Sequence, residues 1–388
     1  MIFINPIEKT AQMIHIIIGG DFAPMGRPET ILCSGNDLTL TGDLQELFCE
    51  ADLVIANLEC PLVTNQTPTK IKKPLISAKA ACVKGLKSAG IDVVGLANNH
   101  ILDHGKEGLQ STIEALRSID IDYVGAGNTI FDAQQMLIKQ IDTLKIGIIA
   151  VAEHEFSIAN ENACGANPLD LITFVRSMEM YRASVDFVIV LFHGGKEFYP
   201  YPTPRQMEIC RFLVEQGASA VICQHSHCPG SYEEYKGGHI VYGQGNLLFD
   251  MYPNKMPTVW HEGFLVNLLL KKDAPIEFYI TPFIQCRDSS RIKKRTSDCD
   301  KLAEQVVCRS QKITQKGFIN SEWLKFCNEK QYEYLSYLYG YNKYLSFINK
   351  KLHFSDFLFS KRANNLILNV IRCETHREVL ETILSKKT

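Results

Sequence analysis

Two histidines one residue apart, His225-Ser226-His227, follow Gln224 at the end of the apolar run Val221-Ile222-Cys223. Residues i and i+2 of an extended chain share a face, and just past a strand this spacing can turn both imidazoles toward one ion. His193 ends a second apolar run, Val188 to Phe192, and precedes Gly194-Gly195. Any one of these histidines alone is more simply a loop or core residue. The residues that accompany them argue otherwise. Asp21 follows a short apolar run broken by Gly19-Gly20, and Glu59 lies past the run Leu53 to Ala56. Val93 to Leu96 opens into Ala97-Asn98-Asn99-His100-Ile101-Leu102-Asp103-His104. Asn and Asp form turns and caps, but turn chemistry does not account for His100.

Carboxylate, amide and imidazole without thiolate form a hard-to-borderline donor set that suits Mn²⁺, Fe or Zn²⁺ rather than a structural zinc site. Asp21, Glu59, Asn99, His193, His225 and His227 are more donors than one tetrahedral ion needs. Two divalent ions about 3.5 to 4 Å apart would use them, and hydrolysis is the chemistry such a pair performs. Arg27, in the Gly- and Pro-punctuated loop after Asp21, supplies a guanidinium to the same space.

The elements that must position these groups alternate. Apolar strand runs at His15–Ile18, 53–56, 93–96, 145–151, 187–192 and 221–223 are separated by helical patterns near 43–49, 77–89, 108–118, 169–182 and 205–216. After about residue 228 strands dominate. This order predicts an α/β fold with a mostly parallel sheet and a second sheet with antiparallel edges. In such sheets functional groups gather beyond the carboxyl ends of the strands, where all six donors fall.

From about residue 288 the chain turns polar, basic and helical. Residues 291–388 carry 19 Lys and Arg against 10 Asp and Glu, whereas residues 1–290 carry 22 against 33. An acidic body at 1–287 and a basic, aromatic-rich helical extension at 288–388 are therefore expected. Tyr334, Tyr337, Leu338, Tyr341, Tyr344, Leu345 and Ile348 fall at helical spacing and predict one apolar face. Such a face packs on the body, or serves partner docking, glycan stacking or a homo-oligomer.

Composition excludes several classes. At 46% apolar and 22% charged residues the chain is an ordinary globular protein. Thirteen scattered cysteines without a CxxC pair read as reduced thiols of a cytoplasmic protein. The start MIFINPIEKTAQM lacks the pattern of a secretion signal, and no apolar run is long enough for a membrane span. The basic extension is interspersed with acids and carries no nucleic-acid-binding motif, so no nucleic acid is expected as partner.

Taken in order, these residues resemble the CapA-like proteins named for poly-γ-glutamate capsule biosynthesis, distant relatives of the calcineurin-like metallophosphoesterases. The resemblance covers roughly residues 14 to 285. It rests on Gly20-Asp21 with Arg27, Asn57-Leu58-Glu59-Cys60-Pro61, Ala97-Asn98-Asn99-His100 with Asp103 and Gly105, and Gly125-Ala126-Gly127. His193-Gly194-Gly195 with Glu197, His225-Ser226-His227, and Gly245-Asn246 with Phe249-Asp250 complete it. It departs from the phosphoesterase pattern at Ala23, where a histidine is usual, and from the CapA pattern at Gly194, Gln224 and Ser226.

The resemblance implies a four-layer α-β-β-α sandwich, metallophosphoesterase-like, with metals between the sheet ends and the helical extension appended. It implies that Asp21, Glu59, Asn99, His193, His225 and His227 hold the metals and that His100, with Asp103, serves the leaving group as general acid. Arg27, Asn57, Glu197 and Asn246 are assigned to substrate. The function it implies is metal-dependent hydrolysis of a phosphoester or amide bond in capsule, exopolysaccharide or poly-γ-glutamate metabolism. The substrate would be an anionic polymer or a small phosphorylated or glycan molecule. The alternative is a non-catalytic accessory protein that binds an anionic polymer on the same scaffold. The metal site requires His193 to lie within about 10 Å of His225 and His227, because no ion bridges a wider gap, and metal content separates the two readings.

Overall fold

The computed structural model describes residues 13–33, 41–69, 74–251, 255–294 and 297–385. Residues 1–12, over which no secretion signal is read, lie outside the described residues. Four strands of the first sheet, β1 (Ile14–Ala23), β2 (Leu53–Leu58), β3 (Val93–Gly95) and β4 (Asp122–Val124), pair in parallel in that order. Six more, β5 (Leu137–Ile141), β6 (Leu144–Ala152), β7 (Phe187–His193), β8 (Ala220–Gln224), β9 (Tyr232–Tyr235) and β10 (Gly238–Tyr242), make a second sheet. Its order is β9-β10-β8-β7-β6-β5, parallel at the centre and antiparallel at both edges.

The chain then returns to the first sheet. There β11 (Asn246–Phe249) pairs in parallel with β1, and β12 (Glu262–Leu270) joins β1 antiparallel. Two further strands, β13 (Glu277–Gln285) and β14 (Ile292–Lys293), extend that edge.

Side-chain alternation explains how the sheets stack. In β7, Ile189 and Leu191 join a core shared with β1, β2 and β3, whereas Val188, Val190 and Phe192 join a second core beneath the other face. The same alternation runs through β6 and β8, as the period of two requires when both faces of a sheet are covered. The second core is closed by α5 (Leu171–Tyr181) and α6 (Pro204–Glu215) through Phe174, Met178, Cys210 and Leu213.

Apolar side chains of α1 (Arg27–Cys33), α2 (Gln45–Glu50), α3 (Val83–Ser88) and α4 (Gly105–Arg117) cover the first sheet. The result is a four-layer α-β-β-α sandwich. The helix expected from Ser77 begins only at Val83, because Ala78 and Lys79 instead pair with Leu62 and Val63. No helix among the described residues is long and apolar enough to cross a membrane.

The chain divides into two compact units, Met1–Ile319 and Asn320–Thr388. The change in composition near residue 288 precedes this division, because α7 (Ser297–Ile313) packs on β9 and β13 and places Leu302 and Val306 in the main core. Within the second unit the expected single tyrosine face is broken. The helix α8 (Phe318–Leu338) ends before Gly340, whose φ of 65° is left-handed, and α9 (Lys343–Leu352) starts afresh on the N-cap Asn342.

A chain ending at Ile319 is therefore expected to keep the cooperative unfolding of the first unit. A chain ending at 287 forfeits Leu302 and Val306 and is expected to lose roughly 3–6 kcal/mol by their area alone. Calorimetry of the two truncations checks this; equal stability would detach α7 from the core.

Candidate metal centre

Alternation also aims the donors. His193 continues the inward series Ile189 and Leu191, so its ring enters the space between the sheets at the strand's carboxyl end. Asp21 reaches the same space from β1, where the register slips beside it on both neighbouring strands. The slip depends on Gly20, because a Cβ there would collide with the Gly245 carbonyl oxygen. Glu59 lies one residue past β2, its N–H donating to the Phe22 carbonyl at 3.0 Å. His225 and His227 follow β8 with left-handed φ of 83° and 50°. That conformation costs on the order of 1–3 kcal/mol per residue and persists where the surroundings impose it.

All six donors converge. His193 Nε2 and His227 Nε2 lie 3.6 and 3.5 Å from the same oxygen of Glu59, and His227 Nδ1 lies 3.5 Å from Asp21. His193 Nε2 is 3.2 Å from the Asn99 amide oxygen, and the His193 and His225 rings are 4.7 Å apart. Potential ligand atoms of Glu59, His225 and His227 all lie within 4.8 Å of one another. The two separations from Glu59, 3.6 Å for His193 Nε2 and 3.5 Å for His227 Nε2, are too long for ordinary hydrogen bonds. They match two ligands each about 2.1 Å from one ion, which sit about 3.0 to 3.5 Å apart. Every donor is buried. The residues present thus fit a divalent cation in both chemistry and spacing.

Supporting amides fix the rings. Asn246 accepts from His227 Nδ1 at 2.9 Å while its own NH₂ donates to the Trp260 carbonyl at 3.0 Å, which settles the amide's orientation. His227 therefore carries its proton on Nδ1 and turns the Nε2 lone pair toward Glu59. The Asn57 amide donates to Asp21 at 2.8 Å and lies 3.2 Å from His193 Nδ1. Burial raises the Asp21 carboxyl above its ordinary pKa, against the opposing effects of His227, Asn57 and the His225 N–H. His100 stands beside the donors as a separate pair: its Nδ1 is 2.6 Å from Asp103, which also takes the Ile76 N–H at 2.8 Å. The carboxylate accepts from Nδ1 and so sets the tautomer of the His100 ring.

Four residues are expected at the substrate, Arg27, Asn57, Glu197 and Asn246. Arg27 is held by Asp250 through Nε at 2.7 Å and Nη2 at 2.9 Å and donates to the Cys286 carbonyl. Its charge is thereby paired with Asp250, while the side chain itself stays 41% exposed. Asn57 and Asn246 are buried behind the ligands and orient them instead of facing substrate. Glu197 is exposed on the loop after His193, and the neighbouring Phe198 reaches the cluster, 6.4 Å from the His227 ring.

Trp260, Phe198 and Glu153 are residues that sequence reasoning missed. Trp260 packs 4.8 Å from His227 and is one of only two tryptophans, a signal that was there to find. Glu153, one residue past β6, lines a cleft with Asn99, His193 and His225, and burial raises its pKa. A Cβ at position 194 would stand 2.6 Å from its Cγ, so Gly194 makes room for this carboxylate.

The loop that carries His227 is braced from behind. Arg309 and Ser310 of α7 take part: Arg309 donates to the Pro229 carbonyl at 2.7 Å, and Ser310 Oγ accepts the Tyr232 N–H at 2.8 Å.

These features define a four-layer α/β protein with a candidate metal centre at the carboxyl edge of both sheets. The family described as bacterial capsule synthesis protein PGA_cap matches residues 15–251, more than half of the chain, and the chain belongs to that family. It is 32% identical over 209 residues to the capsule biosynthesis protein CapA of Bacillus anthracis, covering 52% of this chain and 51% of that relative. The PGA biosynthesis protein CapA of Bacillus subtilis is 28% identical over 275 residues, 69% of each chain. A Mycobacterium tuberculosis relative named a probable polyglutamine synthesis accessory protein is 26% identical, covering 51% of this chain and 56% of its own. The chain thus spans about half the length of two of these relatives.

Among solved structures, a novel phosphatase from Mycoplasma pneumoniae is similar at 18% identity and a TM-score of 0.44, covering 70% of this chain and 94% of its own. A 5′-nucleotidase from Candida albicans is similar at 9% identity and a TM-score of 0.40, covering 78% and 58%.

Two outcomes follow for the centre. Because Asp21 must ionise to bind a cation and burial opposes ionisation, the uncharged form is favoured as pH falls through its raised pKa. The rise in Tm on adding Mn²⁺ is accordingly expected to grow with pH; a shift that shrinks as pH rises would remove Asp21 from the ligand set. Arg309→Ala, which frees the loop bearing His227, is expected to weaken metal affinity about tenfold, with Arg309→Lys recovering part of it. Calorimetric titration with Mn²⁺ and the visible spectrum of the Co²⁺ form check this; an unchanged affinity and spectrum would make the brace irrelevant to the site.

Proposed function

We propose that this protein is a metal-dependent hydrolase of its family, cleaving a phosphoester or amide bond in capsule or poly-γ-glutamate metabolism. The observation that carries this reading is the convergence of six buried donors with a separate His100–Asp103 pair beside them. Asp21, Glu59, Asn99, His193, His225 and His227 would hold one or two divalent ions. When bound, such ions supply Lewis-acid polarisation and lower the pKa of water.

The remaining work belongs to the chain. Asp103 accepts the His100 Nδ1–H and stabilises the imidazolium form, whose Nε2–H would pass its proton to the departing oxygen or nitrogen and leave the neutral ring. Asn246 keeps His227 aimed, Asn57 donates to Asp21, and the two sheets exclude bulk water from the donors.

A second reading, an accessory protein that binds an anionic polymer, is favoured by the name of the Mycobacterium tuberculosis relative. It too would draw on the cation, because Arg27 is already paired with Asp250.

His100→Asn separates the two. In the hydrolase, this variant retains metal while turnover on an unactivated phosphoester or γ-glutamyl amide falls about 10²- to 10⁴-fold. The loss is smaller for nitrophenyl esters, whose leaving group needs no proton. His225→Asn loses metal and activity together. Metal content, Tm and rate are measured on one preparation; a lowered Tm with unchanged turnover per folded molecule would make His100 a loop-capping residue and favour the accessory role.

A further inference from the structure

The second unit presents a surface that a protein in water does not ordinarily keep. Among the described residues, six exposed large hydrophobic side chains precede residue 320 and eighteen follow it. The unit's own packing determines which of them project. Tyr339 stacks on Phe359 at 3.7 Å and Tyr332 on His353 at 3.9 Å, while the Tyr332 hydroxyl donates to Asp356 at 2.8 Å. Buried Asn349 accepts the Ser355 N–H at 3.0 Å. These contacts hold the single turn α10 (Ser355–Leu358) from one side. On the other, Phe357 and Leu358 stand 87% and 67% exposed.

Cations bracket that tip. Lys350 and Lys351 precede it, and Lys361 and Arg362 open α11 (Lys361–Arg372), which itself exposes Leu366 and Ile371. Between residues 339 and 371 there are five Lys and Arg and a single acid, Asp356, which is bonded to Tyr332. Lys350 pairs with Glu333 at 3.1 Å. Among the described residues, Lys351, Lys361 and Arg362 have no acidic partner.

We propose that the second unit docks on anionic phospholipid surfaces, inserting Phe357 and Leu358 between headgroups while the flanking cations meet their phosphates. Acyl chains accept a projecting aromatic ring without a preformed pocket, and a basic collar around an apolar tip is what an anionic interface retains. A second copy of the chain is the poorer occupant, because an isologous contact would bring the same Lys351, Lys361 and Arg362 of both copies together. The inference is independent of the metal centre and of any activity there.

Flotation of the full chain with vesicles tests it. Binding is expected to phosphatidylcholine vesicles containing phosphatidylglycerol and to be weak on phosphatidylcholine alone. Lys361→Ala with Arg362→Ala is expected to weaken binding about 25-fold at low salt, at roughly fivefold per charge, and Phe357→Ser with Leu358→Ser by about tenfold or more. These exposed positions leave the far-ultraviolet circular dichroism and Tm unchanged. Emission of the Phe357→Trp protein is expected to be quenched by brominated acyl chains.

Failure to float with either vesicle overturns the proposal, as does binding that ignores both double variants or emission that bromine leaves untouched. A concentration-dependent dimer abolished by Phe357→Ser with Leu358→Ser, without vesicle binding, would assign the surface to a second copy instead.

Discussion

Two carboxylates buried in one pocket, Asp21 and Glu59, are the constraint around which the first unit is arranged. Transfer of an ionised carboxylate from water into protein costs several kcal/mol unless it is paired and hydrogen-bonded. Amide and backbone donors offset part of that for Asp21. The imidazoles of His193 and His227 stand 3.6 and 3.5 Å from one Glu59 oxygen, a spacing at which two ligands can share an ion. A divalent cation would resolve the conflict, and the surrounding structure then reads as the means of holding the acids in place for it.

That holding is distributed. Neither sheet completes the centre: β1 and β2 bring the acids, while β7 and β8 bring the histidines. Face-to-face packing of the sheets therefore carries both stability and site geometry, and the shared core of β1, β2, β3, β6, β7 and β8 positions the pocket above it. His227 is then fixed by Asn246 from elsewhere in the chain, and the loop after β8 by α7. The last of these lies beyond the residues that the family match covers, so the centre of this chain depends on a segment outside the matched region.

Much of this was legible in the sequence, for a physical reason. A strand that runs between two covered faces is continuously apolar, and the polar residues that gather just past its end mark the site. Asp21, Glu59, Asn99, His193, His225 and His227 all stand out this way. What resisted reading was partnership across long sequence gaps. Arg27 beside Asp21 looked like an anion site because its neutralising partner, Asp250, is far away in the chain. Asn57 and Asn246 have the composition of substrate contacts, and only their burial shows them supporting the ligands. The tyrosine spacing from 334 to 348 was sound as periodicity, yet Gly340 and Asn342 interrupt the helix that periodicity assumes.

The claim that the buried acids exist for a cation makes opposite demands on one substitution under two conditions. Glu59→Gln removes a buried charge with little change in shape. Its melting temperature in chelator is expected to equal or exceed that of the unsubstituted protein, and with saturating Mn²⁺ or Zn²⁺ to fall below it as the metal-induced rise is lost. A Glu59→Gln protein that melts lower in chelator and keeps the full metal-induced rise would contradict the account, because Glu59 would then be a structural acid and not a ligand.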